Sequence, residues 1–345
     1  MKQVTINDIA KHAGVGRATV DRVLNGRSST KPETAAKVLK AAKDLGYRVN
    51  QSNILSHVNT IYTADTKSEV RLGFILLSDT YSFYRDLAQA LDAAAKRTNV
   101  EETKFVFFTL EQIEQVATSI INLAKEVDVI GLVSVDHPLV RHAVNQVTQN
   151  GTKVITLLSD LSACNQSAYI GWDNKKAGRT AAWAVQHFYP QASKIGIVIG
   201  DNRFLCQETC EISFRSYLRE NGGQQRVLEP VRSFENIQDG YESTLSLLKA
   251  NPDLTLLYAP CGGIEGIAKA LKDMQMHKQV TFICHGPSID QELRFFDDTI
   301  DMMLAHNLSE LATKVVDVSK DLVSGHNEGY VSCLVDFIIK VKENI

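Results

Sequence analysis

The chain has 345 residues, of which 44% are hydrophobic and 22% charged, and its formal net charge is −3. No apolar run is long enough to span a membrane, and the N-terminus lacks the apolar core of a signal peptide. The six cysteines are scattered and form no Cys-x-x-Cys pair, which favours reduced thiols over disulfides or a metal site. We therefore expect a cytoplasmic protein with no membrane association, no metal and no other cofactor.

The charge is divided unevenly along the chain. Residues 1–50 contain ten basic and four acidic residues, a net charge of +6, whereas the remaining residues contain 27 and 36, a net charge of −9. A small basic module on an acidic body fits a protein that contacts phosphate at one end only. A three-helix bundle with a solvated basic face would show the same balance, so charge alone leaves both interpretations open.

The first two predicted elements form a helix-turn-helix. Apolar residues recur at helical spacing over 6–13, and Thr5 with Asp8 forms a capping-box pair. Gly14 is expected to end this helix, and a second short helix is predicted at Arg17–Leu24. Two helices joined by a short glycine-containing turn are typical of DNA-binding modules.

A third helix is predicted directly afterwards. Thr30 and Glu33 form a second capping box, with Pro32 in the first turn. Apolar residues then line one face, and Gly46 is placed to end the helix. The three helices make residues 1–50 the predicted DNA-binding headpiece.

Several segments of this headpiece carry a specific pattern. They are Val4-Thr5, Asp8-Ile9-Ala10, Ala13-Gly14-Val15, Thr19-Val20, Arg22-Val23-Leu24-Asn25 and Leu45-Gly46-Tyr47 with Asn50. With them the chain resembles, without gaps, the headpiece of the lactose-repressor (LacI/GalR) family of bacterial transcription regulators. The resemblance implies a ligand-binding body of periplasmic-binding-protein type and a homodimer. It also implies binding to double-stranded operator DNA under the control of a small polar effector.

The resemblance also assigns DNA contacts. The start of the second helix would enter the major groove, with Arg17, Ala18 and Arg22 facing the bases. Arginine matches guanine O6 and N7 with two parallel hydrogen bonds, and Ala18 offers a methyl contact. The family's contacts to the phosphate backbone, which set register without reading sequence, fall on Thr5, Thr19, Asn25, Thr34, Tyr47 and Asn50. Helix capping alone would also explain Thr5 and Asn25.

Residues 51–69 are the predicted hinge or linker, and here the resemblance weakens. Family members carry a hinge helix in which an alanine is followed three residues later by a leucine that wedges into the minor groove. This chain has Asn53 and Ser56 at those positions. Ile54 or Leu55 could act as the wedge in a shifted register, or could be apolar residues of a linker.

From residue 70 onward, strand-like apolar runs alternate with amphipathic helices. The runs include a predicted strand at 226–231, and the helices include 138–149, 174–188 and 237–250. This alternation predicts an α/β body with two doubly wound parallel sheets. The body has about 275 residues, which is at the upper size limit of a single hydrophobic core, so two lobes are expected. By the resemblance, we place one lobe at 70–161 plus 291–323. We place the other at 162–290 plus 324–345, with 330–335 as its returning strand.

Ligands of open α/β sheets bind at the carboxyl ends of the strands, which here means the cleft between the lobes. The candidate effector-binding residues follow predicted strands and are Tyr81, Phe83, Tyr84, Asp136, His137, Asp160, Trp172, Arg203, Glu208, His285 and His306. Phe83 and Tyr84 match an aromatic pair that stacks on sugar rings in related binding proteins. Asp173 is expected to cap the next helix instead of contacting ligand.

Four positions depart from sugar-binding relatives. Arginine, asparagine, aspartate and glutamine are common there, whereas this chain has Cys210, Ile264, His285 and His306. These groups would hold vicinal hydroxyls, so their replacement puts a simple pentose or hexose in doubt. The histidines and nearby charged residues favour a polyol, a sugar acid or another polar metabolite, although each histidine alone could be structural.

Three functions compete at this point. The first is an effector-controlled transcription regulator, a repressor of a catabolic or transport operon. The second is a cytosolic sugar-type binding protein whose N-terminal helices only dimerise. The third is an enzyme that uses Cys261 or Cys284 with a histidine. Cys284 and His285 are neighbours on a predicted strand, so their side chains point to opposite faces, and we predict no enzymatic activity. The Arg17 and Arg22 face favours the first function over the second.

Overall fold

The computed structural model describes residues 5–24, 34, 37–38, 40–42, 45, 70–98, 100, 102–286, 295–325 and 329–345. The chain divides into two units, Met1–Ser68 and Glu69–Ile345. Each unit has a hydrophobic core of its own. We refer to them as the headpiece unit and the body.

The headpiece unit contains both helices of the predicted helix-turn-helix, α1 (Ile6–Ala13) and α2 (Arg17–Leu24). Thr5 Oγ1 accepts a hydrogen bond from Asp8 N, and Asp8 Oδ2 accepts one from Thr5 N at 2.9 Å, which completes the predicted capping box. Gly14 ends α1 in the left-handed conformation with φ 67°. The predictions of these two helices and their caps are confirmed.

The headpiece core is small. It contains the described residues Ile9, Ala10, Val20, Val23, Leu24, Val38, Ala41 and Ala42. Residues 34, 37, 38 and 40–42 are helical, within the segment predicted as the third helix. Val38, Ala41 and Ala42 therefore pack against α1 and α2 and complete the headpiece core.

The body alternates strands and helices, as its pattern predicts. Its strands are β1 (Arg71–Leu77), β2 (Glu102–Phe108), β3 (Val129–Leu132), β4 (Lys153–Leu157), β5 (Ala168–Gly171), β6 (Lys194–Ile199), β7 (Arg226–Val227), β8 (Val231–Arg232), β9 (Leu256–Ala259), β10 (Thr281–Gly286), β11 (Met302–His306), β12 (Val331–Leu334) and β13 (Phe337–Lys340). Its helices are α3 (Ser82–Arg97), α4 (Ile113–Leu123), α5 (Pro138–Gln149), α6 (Asn174–Phe188), α7 (Leu205–Glu220), α8 (Ile237–Ala250), α9 (Ile264–Asp273) and α10 (Leu308–Val323). A short 3-10 helix follows at Lys342–Asn344.

These strands form two sheets. The first has the order β12-β5-β4-β3-β1-β2, with all neighbours parallel. The second has the order β13-β11-β10-β9-β6-β7, and β8 also pairs with β6. The second sheet was predicted to be fully parallel. Strand β13 is antiparallel to β11, so the sheet is mixed.

Helices cover both faces of the first sheet. Along β1, Leu72, Phe74 and Leu76 belong to one buried cluster, and Ile75 belongs to the cluster on the opposite face. Successive strand residues point to opposite faces, so burial of both sets requires helices on both sides. The doubly wound architecture explains why these strands are apolar runs without polar alternation.

Three strands lie in the opposite sheet from the one predicted. Strand β5 pairs with β4 and β12 in the first sheet, although 162–290 and 324–345 were predicted to form the second lobe. Strand β11 pairs with β10 in the second sheet, although 291–323 was predicted for the first lobe. Helix α10, which follows β11, does pack on the first lobe against α3. These lobe assignments of β5, β11 and β12 were wrong, because an apolar run reveals a strand without identifying its partner.

The chain crosses between the lobes at three places. The crossings follow β5 at Trp172, β11 at Asn307 and β12 at Val335. Strand β13, which begins directly after the third crossing, was not predicted from the sequence. It is a short edge strand with half-exposed side chains, and its apolar run, Phe337-Ile338-Ile339, is shorter than the roughly four to eight residues that indicate a buried strand.

Helices α8 and α9 approach each other closely. The contact forms at Gly266, where a Cβ atom would lie 1.9 Å from Ile237 O and 2.8 Å from Tyr241 N. Both of these are backbone atoms of α8 and cannot swing aside. Glycine at this position therefore sets the separation of the two helices.

Candidate DNA-reading helix and effector cleft

The exposed face of α2 presents the predicted base-reading residues. Arg17, Ala18 and Arg22 are exposed, whereas Val20 and Val23 are buried on the opposite face. Arg22 Nε donates to Ala18 O at 3.1 Å, which leaves the outer guanidinium nitrogens without a recorded partner in the described residues. The three residues therefore share a surface that could meet a DNA groove.

The predicted phosphate contacts are described in part. Thr5 is exposed at the start of α1, where its hydroxyl takes part in the capping box. Thr19 and Thr34 are half-buried. The predictions for Asn25, Tyr47, Asn50 and the hinge at 51–69 lie outside the described residues.

A cleft between the two lobes of the body brings together six of the predicted effector-binding residues. These are Tyr81, Phe83, Tyr84, Trp172, His285 and His306. The first lobe contributes the tyrosines and Phe83 from the start of α3, and His285 and His306 stand at the ends of β10 and β11. The strand-end rule therefore locates the cleft even though three strands were assigned to the wrong lobe.

Two other predicted effector-binding residues of the first lobe, Asp136 and His137, make contacts within that lobe instead of facing the cleft. Asp136 pairs with Arg141 and accepts a hydrogen bond from Ser162 Oγ. His137 caps α5, since its Nδ1 accepts from Leu139 N at 3.2 Å. Neither residue lines the cleft.

The remaining candidates are also engaged elsewhere. Asp160 accepts hydrogen bonds from Thr156, Gln166 and Tyr330. Arg203 pairs with Asp201 through two nitrogens at 2.9 and 2.8 Å. Glu208 is exposed on α7. The structure places all three outside the cleft lining.

Some of these loops meet across the cleft. Asp136 N donates to Arg203 O at 2.8 Å, and Cys206 N donates to Ser159 Oγ at 3.3 Å. Each bond joins a strand-end loop of the first lobe to the segment of the second lobe that follows β6, either its loop at Arg203 or the first turn of α7 at Cys206. Loops that sequence analysis assigned to ligand binding therefore hold the two lobes together in this arrangement.

Trp172, at the first crossing between the lobes, is the centre of an aromatic wall. Its ring stacks on His306 at 3.6 Å with an interplanar angle of 18°, and His285 lies edge-on at 5.2 Å. Phe83 lies 5.5 Å from His306. Trp172 Nε1 and His306 Nδ1 are buried and have no hydrogen-bond partner among the residues that the structure describes.

The two histidines of this wall are neutral in the folded protein. Burial lowers the pKa of His285 to about 3, and His285 Nε2 lies 3.0 Å from Tyr258 OH. Burial, and then the neighbouring His285, lower the pKa of His306 well below its usual value. Neither histidine therefore supplies a positive charge to a ligand at neutral pH.

This burial predicts a loss of stability in acid. In the unfolded chain both histidines become protonated near pH 6.5. In the folded protein His285 stays neutral down to about pH 3, so protonation favours the unfolded state below pH 6.5. Stability should therefore be fully present above pH 6.5 and fall as the pH drops below it. In His306→Gln the melting temperature should fall less between pH 7 and pH 4.5, as measured by thermal denaturation across that range. His142→Gln, at an exposed position on α5, is the control. An unchanged pH slope in His306→Gln would contradict the prediction.

Three cysteines, Cys206, Cys210 and Cys261, line the cleft. Cys210 was placed in the pocket from the sequence, at a position where relatives have arginine, whereas Cys206 was not predicted to lie there. Burial raises the pKa of Cys206 to about 12 and that of the other two well above their usual value. The thiols are therefore protonated at neutral pH and lack the thiolate form that a nucleophile requires.

The most informative omission is Glu235, whose carboxyl group lines the cleft after β8. The same strand-end rule would have found it had it been applied to the predicted strand at 226–231. Gln207 and Asn174 also line the cleft.

Asp173 was predicted to cap a helix, and it does so, because its side chain accepts a hydrogen bond from Lys176 N at 3.0 Å.

Comparisons with known proteins agree with this geometry. Residues 5–50 match the model for bacterial regulatory proteins of the lacI family, and residues 72–327 match the model for the periplasmic binding protein domain. Catabolite control protein A of Priestia megaterium is 27% identical over 259 residues, which cover 74% of this chain and 73% of that protein. The HTH-type transcriptional regulator GalS of Salmonella typhimurium is 33% identical over 94 residues, which cover 27% of this chain and 25% of that protein.

Solved structures share the fold of the body. A solute-binding protein of an ABC transporter from Burkholderia graminis, in complex with D-arabinose, has a TM-score of 0.74 at 19% identity and covers 81% of this chain and 98% of its own. GanP, a glucose-galactose binding protein from Geobacillus stearothermophilus, has a TM-score of 0.70 at 19% identity over 80% of this chain and 99% of its own.

The class of protein follows from these observations: a helix-turn-helix unit precedes a two-lobed binding-protein body. The chain belongs to the periplasmic binding protein domain family over residues 72–327, and its residues 5–50 match the model for bacterial regulatory proteins of the lacI family. Within the residues that the structure describes, no helix is long and apolar enough to cross a membrane.

Proposed function

We propose that the protein is a sequence-specific transcription regulator, a repressor of a catabolic or transport operon, controlled by a small polar effector in the cleft between the lobes. The observation that carries this proposal is the combination, in one chain, of the exposed Arg17, Ala18 and Arg22 surface with an aromatic and polar cleft. GalS, a relative named as an HTH-type transcriptional regulator, supports the first half, and the sugar-binding proteins that share the fold support the second.

The regulator acts as a homodimer in the cytoplasm, where two headpieces read the two halves of a pseudo-palindromic operator. Effector and DNA are linked only if the effector binds one arrangement of the lobes better than the other. The bonds from Asp136 to Arg203 and from Cys206 to Ser159 join the lobes in the present arrangement. An effector that changes the lobe angle must break or strengthen these bonds.

Selection of binding sites from a random DNA library with the full chain tests the proposal. A pseudo-palindromic sequence should be enriched, and its affinity should exceed non-specific binding by roughly a thousandfold or more at fixed salt. A sugar-type binding protein whose N-terminal helices only dimerise would enrich no sequence. Failure to enrich any site would therefore refute the regulator function.

A further inference from the structure

Glu235 is a buried carboxyl group held in the wall of the cleft by a strained loop. It is 6% exposed, and Phe234 and Glu235 have φ values of 46° and 63°. Non-glycine residues seldom adopt this conformation, and such strain is concentrated at binding sites. Two neighbouring strand ends fix the loop, because Phe234 N donates to Gly200 O at 3.0 Å and Ser233 Oγ donates to Gly262 O at 2.8 Å.

Hydrogen bonds orient one oxygen of this carboxyl group. Glu235 Oε1 accepts from Gln207 Nε2 at 2.8 Å and from Gly262 N at 3.1 Å. Gln207 is itself oriented, since its Oε1 accepts from Gly200 N at 2.6 Å. In the described part of the chain, no hydrogen bond is recorded to Glu235 Oε2. One oxygen is therefore fixed and the other is available to a ligand.

Two glycines make the space for the carboxyl group. A Cβ atom at Gly200 would lie 1.8 Å from Glu235 Oε1, and one at Gly262 would lie 2.7 Å from Oε2. Neither distance leaves room for a side chain. The carboxyl group thus occupies a site that the backbone forms for it.

The cleft offers no positive charge to balance this carboxyl group. Of the described residues that line it, none is lysine or arginine, and His285 and His306 are neutral. Arg203, the predicted cation, lies outside the lining and pairs with Asp201. Burial raises the pKa of Glu235, against the hydrogen bonds from Gly262 and Gln207. An anionic ligand would meet a carboxyl group and no counterion, and burial of an unpaired anion is costly.

We propose that Glu235 determines the specificity of the cleft, and that the effector is a sugar-like molecule without negative charge that donates a hydrogen bond to Glu235 Oε2 from a hydroxyl or ammonium group. The half-buried rings of Tyr81 and Phe83 stand in the same cleft and suit the apolar face of such a ligand. This inference rests on the proposed function. It removes sugar acids from the effectors that the sequence suggested.

Calorimetric titration of the full chain with two matched sets of sugars tests the inference. The sets are D-galactose, D-galactosamine and D-galacturonate, and D-glucose, D-glucosamine and D-glucuronate. A neutral or amino sugar should bind at least tenfold more tightly than its acid, and which of the two binds better identifies hydroxyl or ammonium as the donor. Tightest binding by an acid, or no binding by any of the six sugars, would overturn the inference.

Two variants test whether Glu235 is the residue that determines specificity. Glu235→Gln keeps the oxygen that accepts from Gln207 and Gly262, so it should fold, with a melting temperature at least equal to that of the wild type. It should weaken binding of the neutral or amino sugar about tenfold and reduce the discrimination against the acid. Glu208→Gln, at an exposed position outside the cleft lining, should change neither. Unchanged affinity and discrimination in Glu235→Gln would refute the role of Glu235. Operator binding, measured in the same preparations, distinguishes failure of the proposed regulator function from failure of this inference. A protein that binds operator but no sugar refutes only the inference about Glu235.

Discussion

An Arg22→Ala variant of the full chain is expected to bind its selected operator about 10- to 100-fold more weakly than the wild type, while its affinity for unrelated DNA changes little. Arg22 is exposed on α2, one turn beyond Ala18. A bidentate arginine–guanine contact contributes about 1–3 kcal/mol of discrimination. Because Arg22 is absent from the headpiece core, its loss should leave folding intact.

Fluorescence anisotropy with the selected site and a scrambled site, at one salt concentration, measures this ratio. Arg219→Ala, which removes an exposed arginine of α7 in the body, is the matched control and should leave both affinities unchanged. Calorimetric titration with the effector should give the same affinity in Arg22→Ala as in the wild type. Specific binding that survives Arg22→Ala would show that α2 does not read bases through this residue.

Gly266→Ala is expected to destabilise the body by about 3 kcal/mol or more, because overpacking against backbone forces a shift of helices. The added Cβ would lie 1.9 Å from Ile237 O, far inside van der Waals contact. Helices α8 and α9 would have to separate, and both border the cleft through Ile237 and Glu265. We therefore expect both a lower melting temperature and weaker effector binding.

Thermal and urea denaturation of the full chain measure the loss of stability. Gly329→Ala is the matched control, because no atom of the described residues lies within 4 Å of a Cβ at that position and its φ is not in the left-handed region. The control should melt within about a degree or two of the wild type. Equal melting temperatures for Gly266→Ala and Gly329→Ala would show that the helices can adjust, and would refute the tight contact.

Three helix starts were predicted correctly at side-chain caps, of which only Asp173 had been named as a cap from the sequence. Helices α5, α6 and α8 were predicted with their observed bounds, and they begin after His137, Asp173 and Asn236. Each of these side chains accepts a hydrogen bond from a backbone N–H of the first turn, which is a local interaction that the sequence shows directly. Strand partners depend on residues far apart in the chain, so the sheet membership of β5, β11 and β12 was not predictable by the same reasoning.

The cleft was predictable for a similar reason, and only in part. Phe83 and Trp172 follow strands of the first sheet, and His306 ends a strand of the second. A general rule places residues at the carboxyl ends of such strands near ligand. The rule does not show whether a side chain turns into the cleft or pairs within its own loop, as Asp160 and Arg203 do. That choice depends on partners such as Tyr330 and Asp201, whose positions only the folded structure reveals.

The order in which the strands occur along the chain has a consequence for synthesis on the ribosome. The first sheet begins with β1 at residue 71 but takes its edge strand β12 from residues 331–334, and the second sheet takes β13 from residues 337–340. Translation proceeds at about 5–20 residues per second, and domains generally fold as units when their residues have emerged. Neither lobe can therefore be finished while the other is still being made, and both sheets receive their last strand within the same second or so. The headpiece unit, whose residues precede all of these strands, can complete its core long before the body completes either of its sheets.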